Sequence, residues 1–146
     1  MENLINAIIE KNYQNFKLLF NDEVSINKIY SDQALIHYAI EYNSFDILKF
    51  LKQKGANINL IDVYGETPLH KCTWYNRPAM AKYLIKTGCN INIKDSKGKS
   101  PLYYAIKLKR KKIKRFLIIS GSETDFEILI YIWLSKVFYY FKRKKA

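Results

Sequence analysis

The sequence predicts an all-α solenoid of helix-turn-helix units joined by short hairpin-like connections. Two recurring segments carry this prediction. The first is ALIHYA at 34–39, which returns after 33 residues as TPLHKC at 67–72 and after 33 more as SPLYYA at 100–105. The second is GANIN at 55–59, which returns at the same spacing as GCNIN at 88–92. A fixed period of this length indicates stacked units that share one continuous core.

Each unit is predicted to begin with a short helix. Thr67 and Ser100 can cap a helix N-terminus through their hydroxyl groups. Pro68 and Pro101 follow at the first helical position, where a missing N–H is tolerated. Asn76 stands where this helix must end, because asparagine tolerates the left-handed conformation that a tight turn needs.

A second helix is predicted to follow in each unit. Met80, Tyr83 and Leu84 place apolar side chains at the i, i+3 and i+4 positions of one helical face. Gly88 then follows the helix, as expected for a glycine just past a helix C-terminus. The polar stretch from there to Gly98 is typical of an extended, hairpin-like connection.

This pattern resembles the ankyrin repeat, which has a TPLH-x-A block, two antiparallel helices, a G-A-x-x-N segment and a projecting turn. The likeness is strongest at 62–95, with DVYGETPLHKC near its start and GCNIN near its end. It covers about residues 1–125, which we divide into four repeats. They are a degenerate N-terminal cap at about 1–30, then 31–61, 62–95 and 96–125.

The fourth repeat departs from the pattern at two positions. Tyr103 replaces the histidine of the TPLH block, and Lys109 replaces the asparagine of the helix–helix turn. Lysine does not favour the left-handed conformation. The geometry of this turn is therefore left open by the sequence.

Histidine and cysteine form no recognisable catalytic or metal-binding pattern. His37 and His70 occupy the same repeat position, so the repeat places them on successive units and not in one cleft. A catalytic role needs partners within hydrogen-bond reach, and we expect each imidazole to bond backbone instead. Cys72 and Cys89 replace alanine or serine of other repeats, which predicts small buried residues. We expect a non-enzymatic protein with no metal and no cofactor.

The resemblance also implies where a partner binds, namely against the projecting turns and the exposed side of the first helices. Several of these positions are aromatic, and Trp and Tyr are frequent binding hot spots. A contact patch centred on Trp74 is our prediction, and packing between adjacent turns is the alternative. The implied partner-binding residues are Tyr30, Tyr42, Val63, Tyr64, Glu66, Trp74, Tyr75, Lys97, Lys99 and Lys107.

Positive charge is concentrated in the C-terminal third of the chain. Residues 1–96 carry a net charge of +1 and residues 97–146 carry +11. Such a cluster suits an acidic protein, an anionic lipid, nucleic acid or an import receptor, and a solvated face is the alternative. Nucleic acid is disfavoured as the main ligand, because the aromatic residues and the lysines lie in different repeats. The predicted basic patch comprises Lys109, Arg110, Lys111, Lys112, Lys114 and Arg115.

The C-terminal segment 126–146 breaks the repeat. Its residues 126–141 are apolar on nearly all sides and are followed by the basic run 142–145. Sixteen residues fall short of the roughly 20 that a membrane-spanning helix needs. We predict an apolar helical cap over the open end of the fourth repeat. A membrane-anchoring helix and a remnant of a longer repeat protein are the alternatives.

The predicted function is recognition of another protein by an intracellular monomer. Four residue types, Lys, Ile, Asn and Tyr, supply 65 of the 146 residues, which is typical of an AT-rich genome. The chain resembles short ankyrin proteins of large DNA viruses such as poxviruses, which implies binding or antagonism of a host protein. A peripheral membrane protein and a shortened relative of a ubiquitin-ligase adaptor are the alternatives. The N-terminus lacks a signal-peptide pattern, so we expect a cytoplasmic or nuclear location.

Overall fold

Successive helices pair between residues 2 and 119, as seen in a computed structural model that describes residues 1–21, 23–124, 129–130 and 132–134. The regular structure of these residues is helical, and the prediction of an all-α solenoid is confirmed. Residues 129–130 and 132–134 are helical as well. The helices are α1 (Glu2–Ile9), α2 (Tyr13–Leu19), α3 (Leu35–Glu41), α4 (Phe45–Gln53), α5 (Pro68–Trp74), α6 (Pro78–Lys86), α7 (Pro101–Lys107) and α8 (Lys111–Ile119).

The helices form two layers. The first helices of successive pairs, α1, α3, α5 and α7, stack on one another in one layer. In the other layer α2 contacts α4 and α6 contacts α8, and the rings of Phe45 on α4 and Tyr83 on α6 meet edge to face. The core lies between the layers, which is why each pair needs its neighbours for stability. Its largest fully buried side chains are Phe16, Ile8, Leu35, Ile36, Ile40, Ile47, Leu48, Leu51, Leu69, Met80, Leu84 and Leu102.

The predicted helix starts are confirmed. The Thr67 hydroxyl accepts a hydrogen bond from the backbone N–H of the third helical residue, and Ser100 does the same. Pro68 and Pro101 are the first residues of their helices. These caps satisfy N–H groups that a helix leaves without an internal partner.

The helix–helix turns have one geometry throughout, including the turn that the sequence left open. Asn43 and Asn76 have φ values of 58° and 53°, and Lys109 has a φ of 57°. The fourth repeat therefore keeps the same turn although its lysine gains nothing from that conformation. Tertiary packing determines the turn in this repeat.

An inter-repeat bond follows each of these turns. The Ser44 hydroxyl donates to the carbonyl of Ile8, at 2.8 Å. Arg77, 33 residues later, donates from its guanidinium to the carbonyls of Ile40 and Glu41. These carbonyls end the first helix of the preceding pair and lack helical partners. The second helix of one repeat is thereby tied to the first helix of the repeat before it.

Arg110 belongs to the same series, which corrects its assignment to the exposed basic patch. Its guanidinium is half-buried and donates to the carbonyls of Thr73 and Trp74, at 3.2 and 3.0 Å. A planar group with several fixed donors suits two neighbouring carbonyls. Arg110 therefore joins the third and fourth repeats.

The two histidines are structural, as predicted. Nδ1 of His70 accepts a hydrogen bond from the backbone N–H of Thr67, and Nε2 donates to the carbonyl of Lys99 in the next repeat. His37 makes the equivalent bond to the carbonyl of Leu60, at 3.0 Å. Burial lowers the pKa of His37 to about 4 and also lowers that of His70. Both imidazoles are therefore neutral at physiological pH.

The projecting turns are held by aspartates and by each other. The Asp62 carboxylate accepts hydrogen bonds from the backbone N–H groups of Tyr64 and Glu66. The Ser96 N–H donates to the carbonyl of Tyr64, so adjacent turns are bonded through their backbones. At Gly65, with a φ of +75°, a Cβ atom would lie 2.7 Å from the backbone nitrogen of Ser96. Only glycine permits this approach.

Candidate protein-binding surface

The projecting turn and first helix of the third repeat form a cleft of roughly 350 Å³. Its lining residues are Tyr64, Glu66, Lys71, Trp74 and Tyr75. Four of these were predicted as partner-binding residues from the sequence, and Lys71 was not. The hairpin supplies one wall and α5 supplies the other, which brings residues up to eleven positions apart together. We call this feature the third-repeat cleft.

The aromatic residues of the third-repeat cleft differ in how firmly they are held. Tyr64 and Tyr75 are 58% and 38% exposed. Trp74 is half-buried: its ring centroid lies 4.4 Å from that of Tyr104 in the next repeat, and its indole N–H donates to Glu66 at 2.8 Å. Trp74 therefore lines the cleft and also packs against the next repeat, so it has the features of both interpretations.

Lys71 lines the cleft and is buried, although lysine side chains are usually solvated. It is 7% exposed, and its ammonium group lies 2.7 Å from the Asp62 carboxylate and 2.9 Å from that of Glu66. Burial opposes its charge, but the hydrogen bonds that its ammonium donates to the two carboxylates outweigh burial and raise the pKa of Lys71. The same position holds Tyr104 in the fourth repeat, whose hydroxyl donates to Asp95 at 2.6 Å. Lys71 and Tyr104 thus occupy the same repeat position, and each contacts the aspartate of its turn. This correspondence is the sequence signal that could have identified Lys71.

A third carboxylate approaches the cleft from the second repeat. Burial and the carboxylate of Glu41 raise the pKa of Tyr75 to about 12. The side-chain amide of the buried Gln33 donates to Glu41 at 2.6 Å. Glu41 is therefore positioned by a fixed neighbour at the edge of the third-repeat cleft.

The remaining predicted aromatic and apolar positions are Tyr30 at the end of the N-terminal cap, Tyr42 in the second repeat and Val63 on the turn of the third repeat. Tyr30 is half-buried and its hydroxyl donates to the carbonyl of Ser25. Tyr42 is half-buried against the core. Val63 is exposed on the same turn as Tyr64. Tyr30 and Tyr42 therefore lie outside the lining of the third-repeat cleft.

The fourth repeat carries the predicted lysines. Lys97 and Lys107 are exposed and Lys99 is half-buried. The ammonium groups of Lys99 and Lys107 lie 4.9 and 5.6 Å from the ring centroid of Tyr103, within cation–π distance. The other exposed cations of the basic patch are Lys109, Lys111, Lys112, Lys114 and Arg115.

Exposed apolar side chains follow the basic patch. Ile118 and Ile119 at the end of α8 are 54% and 72% exposed. Beyond them, Leu129, Ile130, Trp133 and Leu134 are exposed too. The prediction of a cap over 126–146 falls mostly outside the described residues. Among the described residues, no helix has the length and apolar character to cross a membrane.

Similarities to known proteins agree with this arrangement of helices. The family model described as ankyrin repeats in three copies matches residues 4–95 and again residues 64–128. A transient receptor potential channel of Drosophila melanogaster, pyrexia, is 36% identical over 64 residues, covering 44% of this chain and 7% of that protein. An ankyrin repeat-containing protein of Schizosaccharomyces pombe is 49% identical over 37 residues, covering 25% of this chain and 18% of that protein. The chain thus spans a small part of either relative.

Proposed function

The chain belongs to the ankyrin-repeat family, and from that premise we propose that it is a non-enzymatic module that binds a partner protein at the third-repeat cleft. Proteins with ankyrin repeats generally mediate protein–protein interaction. The proposal adds the place of binding to this general property. It also includes an intracellular location for the encounter.

One observation carries the proposal: three aromatic side chains surround one cleft. Tyr64, Trp74 and Tyr75 lie there together, and two of them expose a large part of their surface to water. Aromatic residues supply much contact area for little conformational entropy and are enriched at binding hot spots. Their burial by a partner removes this apolar surface from water.

We extend the proposal to a host protein as the partner, which the chain would bind or antagonise. Two features support this extension. Of the 146 residues of this chain, 65 are Lys, Ile, Asn or Tyr, which is typical of an AT-rich genome. The chain also resembles viral ankyrin proteins. A preformed cleft suits an antagonist, because such a protein needs only to occupy a surface of its target.

The test is capture of partners from cell lysate by the full chain and by Tyr64→Ala/Tyr75→Ala. These two tyrosines are preferable to Trp74, whose truncation would also remove contacts with Tyr104 and Glu66. We expect the double variant to lose the partner while keeping the circular dichroism spectrum and unfolding midpoint of the wild type.

The matched control is Ile118→Ala/Ile119→Ala, which truncates two exposed side chains at the end of α8. The control is expected to retain the partner. Retention of the partner by the folded tyrosine variant would exclude the third-repeat cleft as the binding site. Loss of the partner by the isoleucine variant alone would place binding at α8.

A second candidate function, peripheral membrane association, is favoured by the end of α8. Ile118 and Ile119 are exposed beside Lys114 and Arg115, and a basic surface with apolar side chains suits an anionic membrane. Co-sedimentation with phosphatidylserine-containing vesicles tests it, with Ile118→Ser/Ile119→Ser as the comparison. Wild-type protein that stays in the supernatant would exclude this candidate.

A further inference from the structure

We propose that the third-repeat cleft accepts a cationic side chain, a lysine or arginine of the partner protein. This inference rests on the proposed function and specifies the chemistry of the partner. It follows from the three aromatic faces of the cleft and from the charges beside them.

Carboxylates outnumber cations around the third-repeat cleft. Glu66 lines it, Asp62 lies beneath it, and Glu41 reaches Tyr75 from the second repeat. The ammonium of Lys71 pairs with two of these three carboxylates. These three carboxylates and Lys71 together carry a net charge of −2, and the Arg110 guanidinium that bonds the Trp74 carbonyl reduces it to −1, in a protein whose overall charge is +12.

The molecule already holds one ammonium group in these surroundings. Lys71 keeps its charge although it is almost fully buried, because the carboxylates outweigh the cost of burial. Its ammonium also lies 5.7 Å from the ring centroid of Tyr64. The negative faces of aromatic rings attract cations in the same way as the carboxylates do. The local potential therefore favours an incoming cation.

Other guests fit the third-repeat cleft less well. An apolar side chain would approach Glu41 without compensating its charge, and burial of an unpaired charge is unfavourable. An anionic side chain would be repelled by the carboxylates of Glu41 and Glu66. A lysine or arginine lays its aliphatic stem against the rings and brings its charge to the carboxylates. A cationic side chain therefore suits both the aromatic rings and the carboxylates of the cleft.

Nuclear magnetic resonance of the ¹⁵N-labelled full chain tests this inference directly. The probes are Nα-acetyl-lysine methylamide, Nα-acetyl-arginine methylamide and the uncharged Nα-acetyl-norleucine methylamide. The chain has two tryptophans, Trp74 in the cleft and Trp133 outside it. The indole N–H signal of Trp74 reports binding in the cleft, and that of Trp133 serves as the reference. We expect both cations to shift the Trp74 signal, with affinity at least about tenfold above that of norleucine and reduced by salt.

Charge-neutralising variants separate the cleft carboxylate from overall charge. Glu66→Gln keeps an acceptor for the Trp74 indole N–H and is expected to weaken both cations about tenfold. Asp46→Asn removes the same charge from an exposed position on α4 and is expected to leave both affinities within about twofold. Both variants must retain the wild-type pattern of backbone signals.

Several results would overturn the inference. They are norleucine binding as tightly as lysine, equal affinities in Glu66→Gln and wild type, or no shift of the Trp74 signal with any probe. The proposed function would survive each of these results if capture of the partner still required Tyr64 and Tyr75. Conversely, cation binding at Trp74 with partner capture independent of both tyrosines would sink the proposed function and leave the cation site.

Discussion

The third and fourth repeats share one backbone and present different surfaces. In both, an arginine that precedes the second helix, Arg77 or Arg110, bonds the carbonyls that end the previous first helix. At one concave position the third repeat has Tyr64, where the fourth has Lys97. The arginine bonds end on backbone carbonyls, so they leave the side chain at position 64 or 97 free to differ. Recognition chemistry can therefore change from aromatic to basic without a change in the fold.

The largest expected difference between the two repeats is at their turn glycines. Gly65 and Gly98 both have positive φ, but only at Gly65 would a Cβ atom meet the backbone of the next turn. We expect Gly65→Ala to lower the free energy of unfolding by about 3 kcal/mol, from backbone strain and the clash with Ser96.

Gly98→Ala is the matched control for this prediction. It has the same backbone strain with open space around the new methyl group, so we expect a loss of about 1 kcal/mol. Urea unfolding at neutral pH measures both losses. Equal losses would contradict the close contact between the third and fourth turns.

The next largest expected effect is the loss of stability when Arg110 is truncated, compared with truncation of an exposed lysine near it in the sequence. Arg110→Ala removes two hydrogen bonds from a charged group to the carbonyls of Thr73 and Trp74, and we expect a loss of about 2 kcal/mol. Lys112→Ala, at an exposed position in the first turn of α8, is expected to change stability by less than about 0.5 kcal/mol. Thermal and urea unfolding compare the two, and a stability change as small for Arg110→Ala would return Arg110 to the exposed basic patch.

Acidification is expected to lower the stability of the second and third repeats through His37 and His70. The fourth repeat lacks this effect because Tyr103 replaces the histidine. The pKa of His37 is about 4 when folded and near 6.5 when unfolded, so the unfolded chain binds more protons between these values. Stability is therefore fully present above pH 6.5 and falls on acidification, by about 2 kcal/mol from His37 between pH 6.5 and 5.

His70 contributes to this loss in the same direction, because burial lowers its pKa as well. Urea unfolding at pH 7 and pH 5 measures the effect. His37→Gln is the comparison and is expected to show a smaller loss between the two pH values. An equal loss in the variant would assign the effect to groups other than His37.

The smallest expected effect concerns the turn of the fourth repeat. Lys109 holds the left-handed conformation that Asn43 and Asn76 hold in the second and third repeats, and asparagine tolerates this conformation better than lysine. We expect Lys109→Asn to stabilise the chain by about 0.5–1 kcal/mol. Lys114→Asn, at an exposed interior position of α8, is the control and is expected to be slightly destabilising. A destabilised Lys109→Asn would indicate a lost contact of the lysine side chain.

Much of the fold was predictable because each repeat encodes its own local structure. The caps at Thr67 and Ser100, the prolines that follow them and the turn asparagines act within a few residues of sequence. Their consequences can be read from spacing alone. The conformation of Lys109 could not be predicted in this way, because packing between repeats overrides its intrinsic preference.

The candidate site was predictable in position and less so in chemistry. The resemblance placed Tyr64, Trp74 and Tyr75 on one surface, and the structure brings them together in one cleft. Arg110 was assigned to the wrong surface and Lys71 was missed, for a common reason. A basic residue type predicts solvent exposure, whereas here carboxylates or backbone carbonyls from distant positions bury the charged group.

The central claim is that the third repeat binds the partner and the fourth repeat does not. It is tested most directly by exchanging residues between the two repeats at matching positions. Tyr64→Lys/Tyr75→Leu gives the third repeat the side chains of the fourth, and Lys97→Tyr/Leu108→Tyr makes the reverse change. The measurement is the dissociation constant of the captured partner by isothermal titration calorimetry. We predict at least about tenfold weaker binding for the first variant and less than about threefold change for the second. Unchanged binding by the first variant, or equal weakening by both, would contradict the account.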